Sequence, residues 1–276
     1  MKRILGSSAL LLVFLWGTSI PGIPGGRARA AVPSTVRVLT YNIHHGEGMD
    51  GRFDLPRLAS VVKIAQADLV ALQEVDLETQ RASGVNELTE LARLTDMHAA
   101  FGKAMDYSGG AYGVAVLSRW PLRGTRNEPL PSFEDREPRT ALTVDVEAGL
   151  DGPLLEFTST HLDQTRDPEN RLLQARYLNE RLAREDGRAT ILAGDMNARP
   201  GTDVMDLFDR LWADPQAVDP SPAAPNGRPR LTVDHVLLRP TEEWRVIESR
   251  LLDESMASDH RPLLVVLEWT GPTRSH

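Results

Sequence analysis

The sequence predicts an α/β fold in which two mixed β-sheets pack together with helices on the outside. Three observations point that way. Eight short runs with strand-like alternation recur along the chain, and only three segments show helical periodicity. Neighbouring strand runs are often joined by short turns, which argues against a wholly parallel, doubly wound sheet. No internal linker or solenoid-length repeat interrupts the pattern, so one domain from about Val32 to Thr270 is the economical division.

The elements follow in order. Lys2 and Arg3, the apolar stretch Ala9 to Trp16, the break at Pro21-Gly22 and the small-residue "ARA" at 28–30 have the order of a secretory signal peptide. The apolar part is short for an uncleaved membrane anchor, the alternative reading. Residues 1–31 are therefore expected to be removed on export, leaving 32–276 as a secreted or periplasmic domain. The strand runs are "TVRVLTYNI" (35–43), "ADLVALQEV" (67–75), "GVAVLSRWPL" (113–122), "RTALTVDVEA" (139–148), "LLEFTSTHL" (154–162), "ATILAGDMN" (189–197), "TVDHVLL" (232–238) and "RPLLVVLEW" (261–269). Helices are expected at Leu55 to Gln66, Asn86 to Thr95 and Pro168 to Arg184, the last with Asp167 as N-cap and Pro168 at the first helical position. The stretch "DPSPAAPNGRPR" (219–230) reads as a surface loop.

Composition narrows the chemistry. The 276 residues are 41% hydrophobic and 25% charged, ordinary values for a globular chain. There is no cysteine, which excludes disulfides, thiolate zinc sites, a cysteine nucleophile and a lipid-modified N-terminal cysteine. Residues 1–30 carry four basic residues and no acid, so 27 bases face 39 acids beyond them, a balance of −12. Such a chain does not wrap a nucleic-acid backbone by bulk charge.

Most strand runs end in polar residues. The first ends in Asn42, the second in Gln73-Glu74, the fifth in His161 and the sixth in Asp195 and Asn197; the seventh carries Asp234, and the eighth follows Ser258-Asp259-His260. A single strand-end Asp is ordinarily a turn former, and a lone His an ordinary satisfied residue. Taken together these ends form one cluster, because strand ends in layered α/β folds gather at a rim. Hard oxygen donors without thiols suit Mg²⁺, with Mn²⁺ or Ca²⁺ as alternatives. Histidine paired with aspartate suits a group that holds a proton and stabilises negative charge. The combination describes metal-assisted attack of water on a phosphorus ester. No P-loop, G-x-S-x-G elbow or H-E-x-x-H helix competes with it.

"YNIHHGEG", "DLVALQEVD", "GGAYGVAVLSRWP", "STHLD", "GDMNARP", "VDHVLL" and "SDHRPL" occur in the order found in the endonuclease/exonuclease/phosphatase superfamily. From about Arg37 to Trp269 the chain resembles that superfamily, which includes pancreatic deoxyribonuclease, apurinic endonucleases, neutral sphingomyelinases and inositol polyphosphate phosphatases. The resemblance implies a secreted, bacterial-type member with a four-layer, DNase I-like sandwich. It implies Glu74 as principal metal ligand, with Asn42 and Asp259 close to the same ion. Asp195 would orient or deprotonate the attacking water, Asn197 would hold the phosphate, and His260, steadied by Asp234, would face the phosphoryl oxygens. His161 would donate a proton to the leaving oxygen. Tyr112 is a candidate substrate contact, Arg139 and Arg171 are candidate phosphate contacts with a structural role as the alternative for each, and His44 and His45 read as rim or structural residues.

The leading function is a metal-dependent phosphoester hydrolase, for a phosphodiester in preference to a monoester; small molecules, lipid headgroups and nucleic acids all remain open as substrates, and no protein partner is implied. A nuclease needs a basic groove, for which Arg119, Arg123, Arg126, Arg136 and Arg139 are the best segment. A sphingomyelinase-like lipid headgroup phosphodiesterase needs apolar tips at the rim, and no clear apolar hairpin is visible. A binding protein that has lost catalysis is disfavoured by the full residue set. Export carries its own test: N-terminal sequencing of extracellular or periplasmic protein should begin near Ala31 or Val32, and an intact Met1 in a soluble cytoplasmic form would overturn it.

Overall fold

The computed structural model describes residues 35–148, 154–215 and 232–271. The signal-peptide segment and the Pro-rich loop at 219–230 lie outside the described residues. Eleven strands and four α-helices are present among them. One sheet has six strands in the order β10-β11-β1-β2-β4-β3, namely Trp244–Leu251, Leu263–Trp269, Thr35–Asn42, Leu69–Leu77, Gly110–Ser118 and His98–Tyr107. The other has five, β5-β6-β7-β8-β9, spanning Leu122–Pro129, Thr140–Glu147, Leu154–His161, Thr190–Asp195 and Asp234–Arg239. Each sheet is mixed: β1–β2 and β7–β8 are parallel and their other neighbours antiparallel.

The buried residues sort into three cores that define four layers. Val36, Val38, Leu69, Ala71, Leu155, Phe157, Ile191, Ala193, Val236 and Val265 belong to the core between the sheets. Leu39, Tyr41, Val70, Leu72 and Leu264 face α1 (Leu55–Ile64) and α2 (Glu87–Thr95). Leu192, Met196 and Leu237 face α3 (Glu169–Leu182) and α4 (Asp203–Asp209). The alternation read from the sequence is thus the alternation between inner and outer faces. The expected four-layer α/β sandwich is the fold observed.

Caps follow local chemistry. The Asp54 side chain accepts from Arg57 N and that of Asn86 from Thr89 N, each satisfying a donor in the first helical turn. At α3 the expected cap shifts by one residue: Pro168 occupies the capping position, while Asp167 Oδ1 accepts from Glu169 N at 3.1 Å.

Three strands escaped sequence reading, β3, β5 and β10, and all three are sheet edges. With a neighbour on one side only, they carry mixed, half-exposed residues and no clean apolar stripe. The short α4 was missed as well, and the expected strand at 113–122 stops at Ser118.

Glu87, at the start of α2, is fully buried and accepts from Asp76 N at 2.8 Å. Burial, with the Asp76 charge adding to it, pushes its carboxyl up to about 8. The folded state therefore favours the protonated acid, and that contribution is complete below pH 4.5 and lost as pH rises through 8. Glu87→Gln should flatten this dependence, gaining stability over the native chain by up to about 4 kcal/mol at pH 9 and almost nothing at pH 4. Urea denaturation at the two pH values measures the difference.

Candidate active site

The inner stripe of four strands turns polar at the rim. On β1 the inward residues run Val36, Val38, Thr40, Asn42; on β7, Leu155, Phe157, Ser159, His161; on β8, Ile191, Ala193, Asp195. On β9, which runs the opposite way, Leu238 and Val236 lead to Asp234, directly opposite Asp195. Period-two geometry thus delivers four polar groups to one end of the inter-sheet core. None of Asn42, His161, Asp195 and Asp234 is more than 3% exposed.

They meet across the two sheets. Asn42 Nδ2 donates to Glu74 Oε1 at 2.9 Å and to Asp195 Oδ2 at 3.3 Å. His161 Nε2 and His260 Nε2 lie 3.5 and 3.6 Å from the same Asp195 oxygen. His260 Nδ1 donates to Asp234 Oδ2 at 3.0 Å.

Glu74 arrives by a β-bulge. Leu72 pairs with Ala115 and Val75 with Gly113, so Gln73 and Glu74 together oppose the single residue Val114. Glu74 has φ 58°, and it is the extra residue turned out of the ladder. Its neighbour Gln73 stays inward, donating to Ser159 Oγ of the other sheet at 3.4 Å.

"GDMN" forms a strand end and a turn. Gly194 is required because a Cβ there would stand 2.0 Å from Thr160 O. The strand stops at Asp195, two residues earlier than expected, and Asn197 takes a left-handed φ of 48°. The Asn197 backbone N–H donates to Asp195 Oδ1 at 2.8 Å, and its amide donates to Leu162 O at 3.0 Å while lying 3.1 Å from His161 Nε2. Both residues therefore face His161.

The two histidines hold different charge states. Burial pulls the His260 imidazole down, but the hydrogen bond and charge of Asp234, with Asp195 and Asp259 behind them, outweigh it and raise it to about 10. His260 is an imidazolium at neutral pH. Burial, Arg139 and His260 together hold His161 well below its ordinary value. Two donor-only groups face the His161 ring, Arg139 Nη1 3.0 Å from Nδ1 and the Asn197 amide nitrogen 3.1 Å from Nε2. The charged guanidinium is the stronger donor and Asn197 has Leu162 O as its acceptor, so Nδ1 accepts and Nε2, 3.5 Å from Asp195, carries the proton. A neutral Nε2–H imidazole is not a strong acid, which departs from the expected proton-donor role of His161. Burial and the Asp234 charge push the Asp195 carboxyl up to about 7.

The other expected residues fall into place differently. Asp259 is exposed, 3.3 Å from Ser258 Oγ, which also donates to Asn42 O at 2.7 Å. Tyr112 and Arg139 are buried, with Arg139 Nη1 3.4 Å from Tyr112 OH and 3.0 Å from Glu137 Oε1. They support His161 and wall a neighbouring cavity. Arg171 holds the loop after β7 through Asp163 O at 2.9 Å, a structural task. The arginine segment does not line one groove: Arg119 pairs with Asp68 at the far end of β2, Arg123 with Glu147, and Arg126 with Asp145 and Glu156.

His235 was not singled out by the sequence. It is 2% exposed and bridges Asp214 Oδ2 and Ala198 O, both at 2.9 Å, pinning the turn after Asn197 to β9. Burial lowers its pKa, yet the Asp214 hydrogen bond and charge outweigh that and raise it. Its outward place in the "VDHVLL" alternation was the available signal.

Asp195, Asp234 and His260 offer ligand atoms within 4.8 Å of one another. Protonated His260 has no lone pair to give, so the useful donors are carboxylates. Asp234 Oδ1 is buried without a hydrogen-bond partner, and Glu74 and Asn42 adjoin Asp195. An oxygen-rich, thiol-free set with an orphaned carboxylate oxygen fits a hard divalent cation.

The Endonuclease/Exonuclease/phosphatase family profile matches residues 39–260. The chain belongs to this family. Family members are phosphoester hydrolases. The uncharacterized protein YbhP of Escherichia coli K12 is 31% identical over 172 residues, 58% of this chain and 66% of that protein, just under two thirds of its length. A solved endonuclease/exonuclease/phosphatase from Beutenbergia cavernae superposes with a TM-score of 0.73 at 25% identity, covering 86% of this chain and 72% of the other. A mannosyl-6-phosphatase from Bacteroides thetaiotaomicron shares the fold at 18% identity with a TM-score of 0.68, covering 85% of this chain and 100% of its own.

The charge assignments are directly measurable. In metal-free protein, ¹⁵N shifts of the histidine rings should show His161 as a neutral Nε2–H tautomer at pH 6 and His260 protonated through pH 8. Asp234→Asn should bring the His260 titration down, since burial then acts with less opposition.

Proposed function

We propose that this chain is a secreted, metal-dependent phosphoester hydrolase in which water attacks phosphorus, with residues 32–276 as its catalytic domain. The observation that supports this most is the meeting of Asp195 with Asn42, His161 and His260 at the joint end of two sheets. A phosphodiester is the preferred substrate: it brings one negative charge to a carboxylate-rich site where a monoester dianion brings two.

Asn42, Glu74 and Asp259 would hold Mg²⁺, with the Asp195 and Asp234 carboxylates beside it. The bound cation supplies charge neutralisation on the phosphoryl oxygens. Asp195, its carboxyl made more basic by burial and by the Asp234 charge, takes a proton from the attacking water. Asn197 offers its amide to a phosphoryl oxygen. His260, cationic beside Asp234, stabilises the developing negative charge and is the proton source for the departing oxygen. Neutral His161 orients Asp195 through Nε2–H.

One observation favours a second reading, a lipid headgroup phosphodiesterase. Met49, Phe53, Phe133 and Met256 are exposed by 40–60%, and all stand on loops that open at the site end of the sheets. The paired arginines give a nuclease no comparable support.

A panel of bis-p-nitrophenyl phosphate, p-nitrophenyl phosphate, plasmid DNA and sphingomyelin, each with Mg²⁺, Mn²⁺, Ca²⁺ or EDTA, tests the activity. Asp195→Asn should cost roughly 10²-fold or more in turnover with the melting temperature unchanged or raised. Asn197→Ala should lower turnover without weakening metal binding, whereas Glu74→Gln should weaken both. A folded, fully active Asp195→Asn protein would sink the mechanism.

A further inference from the structure

Beside the phosphoester site lies a separate cavity of about 170 Å³ between Glu74, Arg81, Tyr107, Glu137, Arg139 and Gln164. It shares Glu74 and Arg139 with the catalytic surroundings, so a group attached to a phosphate held there reaches it directly. The volume corresponds to roughly five or six water molecules, below the ~300 Å³ at which clefts for drug-sized ligands begin. It accommodates one small ring.

The walls are preorganised and nearly neutral. Arg81 is fixed twice over: its Nε and Nη2 donate to the two Asp76 oxygens at 2.6 and 2.9 Å, and its guanidinium lies 4.6 Å from the Tyr107 ring and 5.5 Å from the Tyr112 ring. Asp76 is fully buried and cancels the Arg81 charge. Arg139, 3% exposed, is matched by Glu137 at 3.0 Å, and its Nε is buried without a hydrogen-bond partner. No net positive charge remains for a second phosphate or a nucleic-acid backbone.

What remains is a dense set of directional polar groups. Guanidinium N–H groups donate to hydroxyl oxygens, while the carboxylates and the Gln164 amide oxygen accept from hydroxyl hydrogens. Tyr112 and the Met105 thioether add apolar wall against which C–H groups pack. An alkyl chain would leave these polar groups unpaired at a cost of about 1–3 kcal/mol each. A phosphate would meet the Glu74 carboxylate, whose hydrogen-bond partner is the neutral Asn42 amide.

We propose that this cavity is the subsite for a neutral, hydroxyl-rich ring, a monosaccharide or cyclic polyol, carried by the alcohol side of the phosphoester. The proposal rests on the phosphoester reading for its orientation. Water's oxygen bonds to phosphorus, the bond from phosphorus to the ring oxygen breaks, that oxygen takes a proton, and the neutral polyol leaves.

The test has a binding arm and a kinetic arm on the mature chain. Methyl hexopyranosides and myo-inositol are first screened by saturation-transfer NMR in EDTA. At least one should bind, and both Gln164→Leu and Tyr107→Ser should reduce its signal at least fivefold while their melting temperatures stay close to that of the native chain. In the kinetic arm, kcat/KM is compared for the phosphodiester of that ring and for bis-p-nitrophenyl phosphate. Each variant should lower the ratio of the two by about tenfold. Absence of binding by every ring, or a ratio left unchanged, overturns the subsite. Loss of the NMR signal in the variants with no ester hydrolysed under any metal upholds the polyol site and overturns the hydrolase reading instead.

Discussion

The contact between the two inner sheet faces is the constraint on which everything else depends. Each strand must present an apolar residue at every second position to fill the space between the sheets, and the backbone ladder fixes where each successive side chain lands. At the rim that obligation ends, and the same alternation delivers Asn42, His161, Asp195 and Asp234 into one buried cluster. Hydrogen bonds then tie the sheets together at this end: Asn42 to Asp195, Gln73 to Ser159, and Ser159 to Leu72 O at 3.2 Å. These four side chains take their placement from the core beneath them, because they are continuations of its own rows.

The charge pattern follows from the second neighbours. His161 and His260 stand at similar distances from one Asp195 oxygen, yet one faces Arg139 and the other Asp234. A guanidinium that can only donate fixes one imidazole as a neutral acceptor, whereas a carboxylate fixes the other as a cation. Two identical side chains thereby acquire different chemistry from single contacts. Asp195 stands between them, desolvated and with its carboxyl raised by burial and by the Asp234 charge.

Much of this was legible in the sequence because it rests on periodicity. The two-sheet sandwich followed from alternating runs and short turns, and the cluster from the polar residues that close those runs. Edge strands β3, β5 and β10 were not legible, since a strand with one neighbour does not need an apolar stripe. The neutral state of His161 was not legible either. It depends on Arg139, which is 22 residues away in the chain and is brought alongside by the β6–β7 pairing. His235 was hidden for a similar reason, because its partner Asp214 belongs to a different segment. Local pattern reveals which residues line up; only pairing reveals what they face.

The bulge at Glu74 separates two things that strands ordinarily bind together. Gln73 and Val75 already sit on opposite faces, as successive residues of a regular strand do. Without residue 74 the β2–β4 ladder would run without interruption, one position for one. The carboxylate is therefore an insertion superimposed on a strand complete in its absence. Descent with a single-codon deletion there would erase an acid from the rim while sparing the packing on both sides of the sheet, giving this architecture a short mutational route to lineages that keep the scaffold without the rim carboxylate.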